Sequence, residues 1–423
     1  MSGPTPAGRR RVVVTGVGAV TPLANDAPGT WTALVAGRSG VRPITSFDPA
    51  RLTSRIAGEV QGLDASGVLD RKELRRTDRF TQFALVAARE AMAQACLPAR
   101  LEGAMAEETG TLVASGMGGT GTLVEQISTS ATRGPDRISP FFIPMAISNM
   151  AAGQVSIVLG PQGPSYAPVS ACASGGHAIG EGAEIILRGD AEMMIAGGSE
   201  APIFEAFVGA FAAMRALSTR NEDPAGASRP FDRGRDGFVA AEGAAMLVLE
   251  EAGHAQHRGV PILAEVAGYG ATSDAVHVTL PAPGGAGALR AARRALAKAG
   301  LPPTAVDTVS AHATSTPEGD PAELAAFRSL FGAYGPRVSI TATKGAIGHT
   351  LGAAGAIGAV VTIMSLREGR VPPTLNLVDP DPAVGDLDCT PLVSRERELQ
   401  VGLVNAFGFG GQNSCVVLKR WEA

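Results

Sequence analysis

Cys172 stands in PVSACASGGHAIG, where an apolar, strand-like approach meets small residues and then a glycine- and alanine-rich helical run. Small neighbours permit the sharp strand-to-helix turn of a nucleophile elbow, and the positive end of the helix that follows favours a thiolate. Cysteine is also among the most buried residue types, so Cys172 taken alone suits packing as well as chemistry. Cys96, Cys389 and Cys415 have no comparable setting and read as packing residues. No CxxC spacing occurs, so neither a disulfide framework nor a zinc site is expected. Two of the six histidines sharpen the reading: His312 in SAHATSTPEGD and His349 in TKGAIGHTLGAAGA end strand-like runs among small residues, whereas His177, His254, His257 and His277 do not. A cysteine nucleophile with two imidazoles suits acyl transfer followed by carbanion chemistry, because neutral imidazoles can donate to a thioester carbonyl and hold an enolate. Lys344 precedes His349 and is one of four lysines set against thirty-two arginines, which singles it out as well. The GxG of VVVTGVGAVTP resembles the start of a dinucleotide fingerprint, but Thr21 replaces the third glycine and Pro22 follows. A tight strand-to-helix turn is the better reading there than a nicotinamide site.

The elements that must position these residues alternate. β-Branched runs bounded by glycine read as strands at 11–18, 110–116, 191–198, 243–251, 264–270, 307–315, 337–345 and 413–420. Alanine-rich stretches with helical spacing lie at 80–96, 175–188, 287–298, 322–330 and 353–367. Alternation of this kind implies an α/β fold with layered sheets. SACASGGHAIGEGAEIILRG and KGAIGHTLGAAGAIGAVVTIM echo each other weakly, which suggests a duplicated core rather than a short-period repeat. We therefore divide the chain into an N-terminal half, 1–262, carrying the cysteine, and a C-terminal half, 263–423, carrying the two histidines. With 45% hydrophobic and 18% charged residues over 423 positions, a large buried core is expected rather than disorder. A net charge of −4 offers no global field for nucleic acid. The longest apolar runs fall short of a membrane span, and the polar opening that ends in Arg9, Arg10 and Arg11 is unlike a secretory leader. The expectation is a cytoplasmic protein with no nucleic-acid and no membrane partner.

Five motifs, PVSACASGGHAIG, SRPFDRGRDGFV, SAHATSTPEGD, TKGAIGHTLGAAGA and NAFGFGGQN, run in this order across nearly the whole chain. Together they resemble the elongating β-ketoacyl-[acyl-carrier-protein] synthases of type II, the 3-oxoacyl-ACP synthase 2-like form within the thiolase superfamily. The resemblance implies a thiolase-like duplicated core of five layers, αβαβα. It gives Cys172 the part of acylated nucleophile, His312 and His349 that of the pair promoting malonyl decarboxylation, and Lys344 an electrostatic supporting part. Asp320 and Glu323 fall behind the first histidine. The backbone N–H groups of Cys172 and Phe409 match the oxyanion hole, and Phe409 also matches a gating aromatic. Thr314 and Thr316 match threonines that touch the phosphopantetheine arm. Met117 and Phe211 fall where the acyl chain is lined, and Arg75, Arg76, Arg137 and Arg215 match a basic rim for an acidic carrier protein.

The activity so implied is a ping-pong decarboxylative Claisen condensation. Cys172, its thiol lowered by the helix N-terminus, takes an acyl group from acyl-ACP. Malonyl-ACP then loses CO2, and its enolate attacks the cysteinyl thioester to give a 3-oxoacyl-ACP two carbons longer. Decarboxylation supplies the carbanion, so neither a redox cofactor nor a metal is expected. The partners implied are acyl carrier protein and a second subunit, as a homodimer or as a heterodimer with a chain-length-factor-like chain. Ala171, Ala173, Ala313 and Gln412 depart from the residues common in the family and leave starter preference open. Fatty-acid elongation is the main reading, and a type II polyketide ketosynthase subunit is the alternative. A thiolase would be expected to carry a second catalytic cysteine near the C-terminus, and an initiating synthase an asparagine in place of His349.

Overall fold

The computed structural model describes residues 10–422, so most of the polar opening read above, residues 1–9, lies outside them. Ten strands form one sheet: β1 (Val12–Val20), β2 (Thr109–Ala114), β3 (Ser165–Tyr166), β4 (Met193–Glu200), β5 (Gly243–Glu251), β6 (Ala264–Ser273), β7 (Thr308–Ser310), β8 (Ser339–Thr341), β9 (Val401–Gly408) and β10 (Gln412–Lys419). Their order is β8-β7-β9-β10-β6-β1-β5-β4-β2-β3. Read outward from the central β1–β6 pair, each half repeats one pattern. The first strand of the half is followed by its last and penultimate strands, both antiparallel, and then by its second and third, both parallel.

The helices complete the layers: α1 (Arg79–Gln94), α2 (Thr120–Arg133), α3 (Met150–Leu159), α4 (Ser174–Arg188), α5 (Glu205–Ala213), α6 (Ala286–Ala299), α7 (Gly319–Phe331) and α8 (Ala354–Glu368). Helices α4 and α8 touch each other and strands of both halves, so they form the middle layer; α1 and α3 cover the outer face of one half, and α6, backed by α7, that of the other. The result is αβαβα. Three apolar clusters fill the spaces between layers, one around Ile179, Leu247, Val360 and Val416, one around Phe83, Met92 and Val248, and one around Leu296, Val309 and Phe327. Helix α8 is apolar all round because it is buried all round. With its preceding turn, Leu351–Glu368 is long and apolar enough to cross a bilayer, unlike the shorter run seen in the sequence, but 89% of it lies inside the protein as a core helix.

Two sequence expectations change. Gly16 and Gly18 lie within β1 rather than in a turn: a Cβ at either would stand 2.0 Å from the carbonyl oxygen of Ala91 or Ala87, so these glycines let α1 press onto the strand. Gly268 and Gly270 in β6 do the same beneath α6, against Ala295 and Ala291, and the duplication extends to that detail. The strands expected at 307–315 and 337–345 stop at Ser310 and Thr341. In the first, positive φ at Ala313 and Ser315 bends the chain out of the sheet; in the second, Lys344 opens a short helix, Lys344–Ile347.

Candidate active site

Cys172 sits in the turn Ala171–Ala173 that opens α4. Ala171 holds φ at +49°, the sharp bend an elbow needs. Ser174 fastens the bend, its hydroxyl accepting from the Ser170 N–H at 2.8 Å and donating to the Ala171 carbonyl at 2.6 Å. Cys172 is 8% exposed and lines a cavity of about 440 Å³. The backbone N–H groups of Phe409 and of Cys172 itself point at the sulfur and favour its charged form. Gly408 allows that approach, since a Cβ there would lie 2.3 Å from the Ser170 carbonyl oxygen and 3.2 Å from the Cys172 nitrogen. The expected lowering of the thiol is reversed. Burial, joined by the Glu200 charge, pushes it up to about 12, outweighing the Lys344 charge and the two N–H groups that pull it down.

The imidazoles come from the other half. His312 lies in the loop beyond β7, and that loop is held from behind by α7. Glu323 accepts from the N–H groups of His312 (2.9 Å) and Ala313 (2.7 Å) and from Asn405 Nδ2 (3.1 Å), while Asp320, one helical turn earlier, accepts from Ser315 (3.0 Å) and Phe231 (2.8 Å). The spacing of three residues puts both carboxylates on one helix face. Burial raises both acids, Asp320 to about 7, against these hydrogen bonds. His349 is pinned by its backbone, with its N–H donating to the Val239 carbonyl and its carbonyl accepting from Ala241. The two rings meet edge-on, with centroids 5.4 Å apart, and Phe238 and Phe407 flank them. Burial, and then the Lys344 charge, drives both imidazoles well below their ordinary value, so each is neutral and keeps one N–H to donate. Lys344 is buried behind them, and burial lowers it to about 8 although Glu323, Cys172 and Asp320 favour its charge.

The cavity gathers Cys172, His312, His349, Phe409, Thr314, Thr316, Met117, Phe211 and Glu323 from the residues singled out in the sequence. Thr314 and Thr316 share a hydrogen bond of 3.1 Å between their hydroxyls. Arg215 also lines the cavity, at its open side, whereas Arg75, Arg76 and Arg137 are exposed away from it, Arg76 stacking on Phe141. Lys344 and Asp320 stand behind the wall. Sequence reasoning did not single out Phe238, Phe407, Met214 or Leu351, which also line it. Phe238 and Phe407 stand inside the motifs SRPFDRGRDGFV and NAFGFGGQN, and an unexplained aromatic within a catalytic motif was the available signal. Among the described residues, no cluster of three or more histidine, cysteine or acidic side chains is arranged to hold a metal ion.

Comparison with known proteins matches residues 9–255 to the β-ketoacyl synthase N-terminal domain family and residues 263–378 to the β-ketoacyl synthase C-terminal domain family. The chain is 45% identical to 3-oxoacyl-[acyl-carrier-protein] synthase 2 of Coxiella burnetii, over 97% of this chain and 99% of that protein. It is also 45% identical to the protein of the same name from Synechocystis sp., over 98% and 99%. Among solved structures, a β-ketoacyl synthase from Burkholderia phymatum superposes with a TM-score of 0.91 at 35% identity, covering 98% of this chain and 100% of that one. The ishigamide ketosynthase/chain length factor superposes with 0.90 at 31%, over the same shares.

Proposed function

The chain belongs to the β-ketoacyl synthase family, which makes it an acyl-transferring enzyme, and from that premise we propose how its own residues extend an acyl chain. The observation that carries the reading is a single cavity in which a buried cysteine faces two backbone N–H groups on one side and two neutral imidazoles on the other. In the first half-reaction the Cys172 sulfur attacks the thioester carbonyl of acyl-ACP, and the N–H groups of Cys172 and Phe409 hold the oxygen that becomes negative. The carrier thiol leaves with the proton that Cys172 gives up, so the balance is acyl-ACP plus thiol to acyl-cysteine plus free carrier thiol. In the second, malonyl-ACP loses CO2, and His312 and His349 donate to the resulting enolate oxygen. The enolate carbon attacks the Cys172 thioester, the carbon–sulfur bond to Cys172 breaks, and the expelled thiolate takes up one proton from solvent as 3-oxoacyl-ACP departs. Neutral imidazoles suit this task better than cations, since an imidazolium would give up its proton to the enolate and quench it. Nothing in the sequence of steps calls for a redox cofactor or a metal.

Thr314 and Thr316 fit the phosphopantetheine arm, and Met117 and Phe211 the acyl chain, because these four share the cavity with Cys172. Identity of 45% to 3-oxoacyl-ACP synthases, against 31% to the ishigamide ketosynthase/chain length factor, favours fatty-acid elongation over the polyketide reading. Arg215 at the cavity mouth, with Arg75, Arg76 and Arg137 on the exposed surface, supports docking of an acidic carrier protein. A homodimer is supported by β3, the last strand of the sheet, whose outer edge is unpaired among the described residues, whose own Tyr166 is exposed, and which lies beside α3 with its exposed Ile157 and just before exposed Val169. Cytoplasmic location accords with this chemistry.

Intact-mass spectrometry tests the reading. The protein should gain an acyl adduct from acyl-ACP, lose it on adding malonyl-ACP and release a 3-oxoacyl-ACP two carbons longer, and Cys172→Ala should form no adduct. Absence of an adduct from any acyl-ACP would sink it.

A further inference from the structure

Glu200, the last residue of β4, is fully buried and takes no part in the steps above. Its carboxylate accepts four hydrogen bonds. Oε1 receives the Ser115 hydroxyl at 2.7 Å and the Met117 N–H at 3.1 Å, while Oε2 receives the N–H groups of Gly116 at 2.8 Å and Gly352 at 2.9 Å. Among the described residues no cation forms an ion pair with it. These donors come from two walls of the catalytic cavity. Gly116 and Met117 line the acyl side, and Gly352 follows Leu351, which closes the side formed by the His349 segment. The walls meet closely here, since a Cβ on Gly352 would lie 2.5 Å from the Gly116 nitrogen and 2.6 Å from Glu200 Oε2. The elbow abuts the same point: a Cβ on Gly116 would stand 3.5 Å from the Ala171 carbonyl oxygen. Burial raises this carboxyl while the four hydrogen bonds pull it down; as a carboxylate it only accepts, so an amide of the same shape would turn an N–H₂ toward N–H groups and release one wall.

We propose that Glu200 is a positioning residue that couples the two half-reactions, with one carboxylate holding both the Met117 wall that meets the acyl chain and the Gly352 turn that follows His349. The proposal rests on the condensation reading. It predicts that disturbing Glu200 changes acyl-chain selection and malonyl decarboxylation together, although the residue touches neither substrate.

Wild type, Glu200→Gln and Ser115→Ala would each be assayed twice, with rates normalised to acylatable Cys172. One assay takes the ratio of kcat/KM for a long against a short acyl-ACP in forming the Cys172 thioester. The other measures malonyl-ACP decarboxylation as acetyl-ACP formed. For Glu200→Gln the expected result is decarboxylation slowed about tenfold or more and a selectivity ratio moved at least about threefold, the scale of a weakened charge-assisted hydrogen bond. General loss of folded enzyme lowers both acylation rates alike and leaves their ratio unmoved. A shift in one half-reaction with the other at wild-type level overturns the proposal, as does no shift in either. Should Glu200→Gln fail to fold, Ser115→Ala decides by the same criterion, with both shifts expected at about threefold because only one donor is lost. A wild-type protein that neither acylates nor decarboxylates overturns the condensation reading itself, and the coupling with it.

Discussion

The turn Ala171–Ala173 in the N-terminal half and the turn Leu351–Ala353 in the C-terminal half are two copies of one device. Each opens a middle-layer helix, α4 or α8, each begins with a non-glycine residue forced to positive φ, +49° at Ala171 and +46° at Leu351, and the two turns touch. Each also packs against the penultimate strand of the other half. At the second position the copies diverge, Cys172 in one and Gly352 in the other. The first turn receives the Phe409 N–H from the far half, beside the N–H of Cys172 itself, and keeps a side chain that can be acylated. The second turn gives its own N–H to Glu200 and leaves no room for a side chain. One backbone geometry thus serves as a nucleophile's perch in one half and as a structural tie in the other, and the residue at the tip decides which.

The comparison can be broken where the halves differ. Lys344 lies beside the first turn and favours its thiolate, so Lys344→Ala should slow alkylation of Cys172 by iodoacetamide at pH 8 by about ten- to a hundredfold, read by peptide mass spectrometry. An unchanged rate would mean that Lys344 does not set the thiol's charge. Next in size, Gly352→Ala forces a methyl against Gly116 and Glu200 and should lower stability by about 1–3 kcal/mol in urea unfolding. A stable variant would show that the second turn has slack the first lacks. The pH profile sharpens the contrast of charge. Both imidazoles are depressed well below 6.5 and so remain neutral as the pH falls from 8 to 6, and they gain protons only below that window. NMR of the His312 and His349 ring signals should therefore show both neutral across it, and a ring that gains its proton between pH 7 and 6 would contradict neutral donors; the decarboxylation rate is not the readout, because Lys344 at about 8 and Asp320 at about 7 titrate in the same window. The smallest effect concerns Ala313, held at φ +27° by Glu323. Ala313→Gly relieves the bend but removes a buried methyl, so thermal unfolding should shift by less than about 1 kcal/mol.

Much of this was legible locally. Helices α1, α4, α6 and α8 fall within one or two residues of where the apolar spacing placed them, and the strand at 243–251 matches at both ends. Strand β3 was missed because two exposed residues on a sheet edge carry no periodic signal. Strand β9 was missed because its motif, NAFGFGGQN, drew attention to chemistry rather than to the apolar run before it. The strand assigned through His312 was too long. Its β-branched composition favoured extension, but Asp320 and Glu323 on a separate helix capture the backbone N–H groups that a strand would have paired.

Residue types, their order and their periodicity were determined by the sequence by itself: an α/β duplicated chain, a cysteine ahead of a helix, two histidines among small residues and five motifs of one family. Only the tertiary structure decided which of them meet and in what state of charge. Helical and strand spacing is a short-range property that a window of residues contains, whereas burial and charge proximity act through space between segments far apart in the chain. That is why the helix N-terminus suggested a lowered thiol while burial raised it, and why Glu200, unremarkable in AGGSEA, ties together two walls of the site.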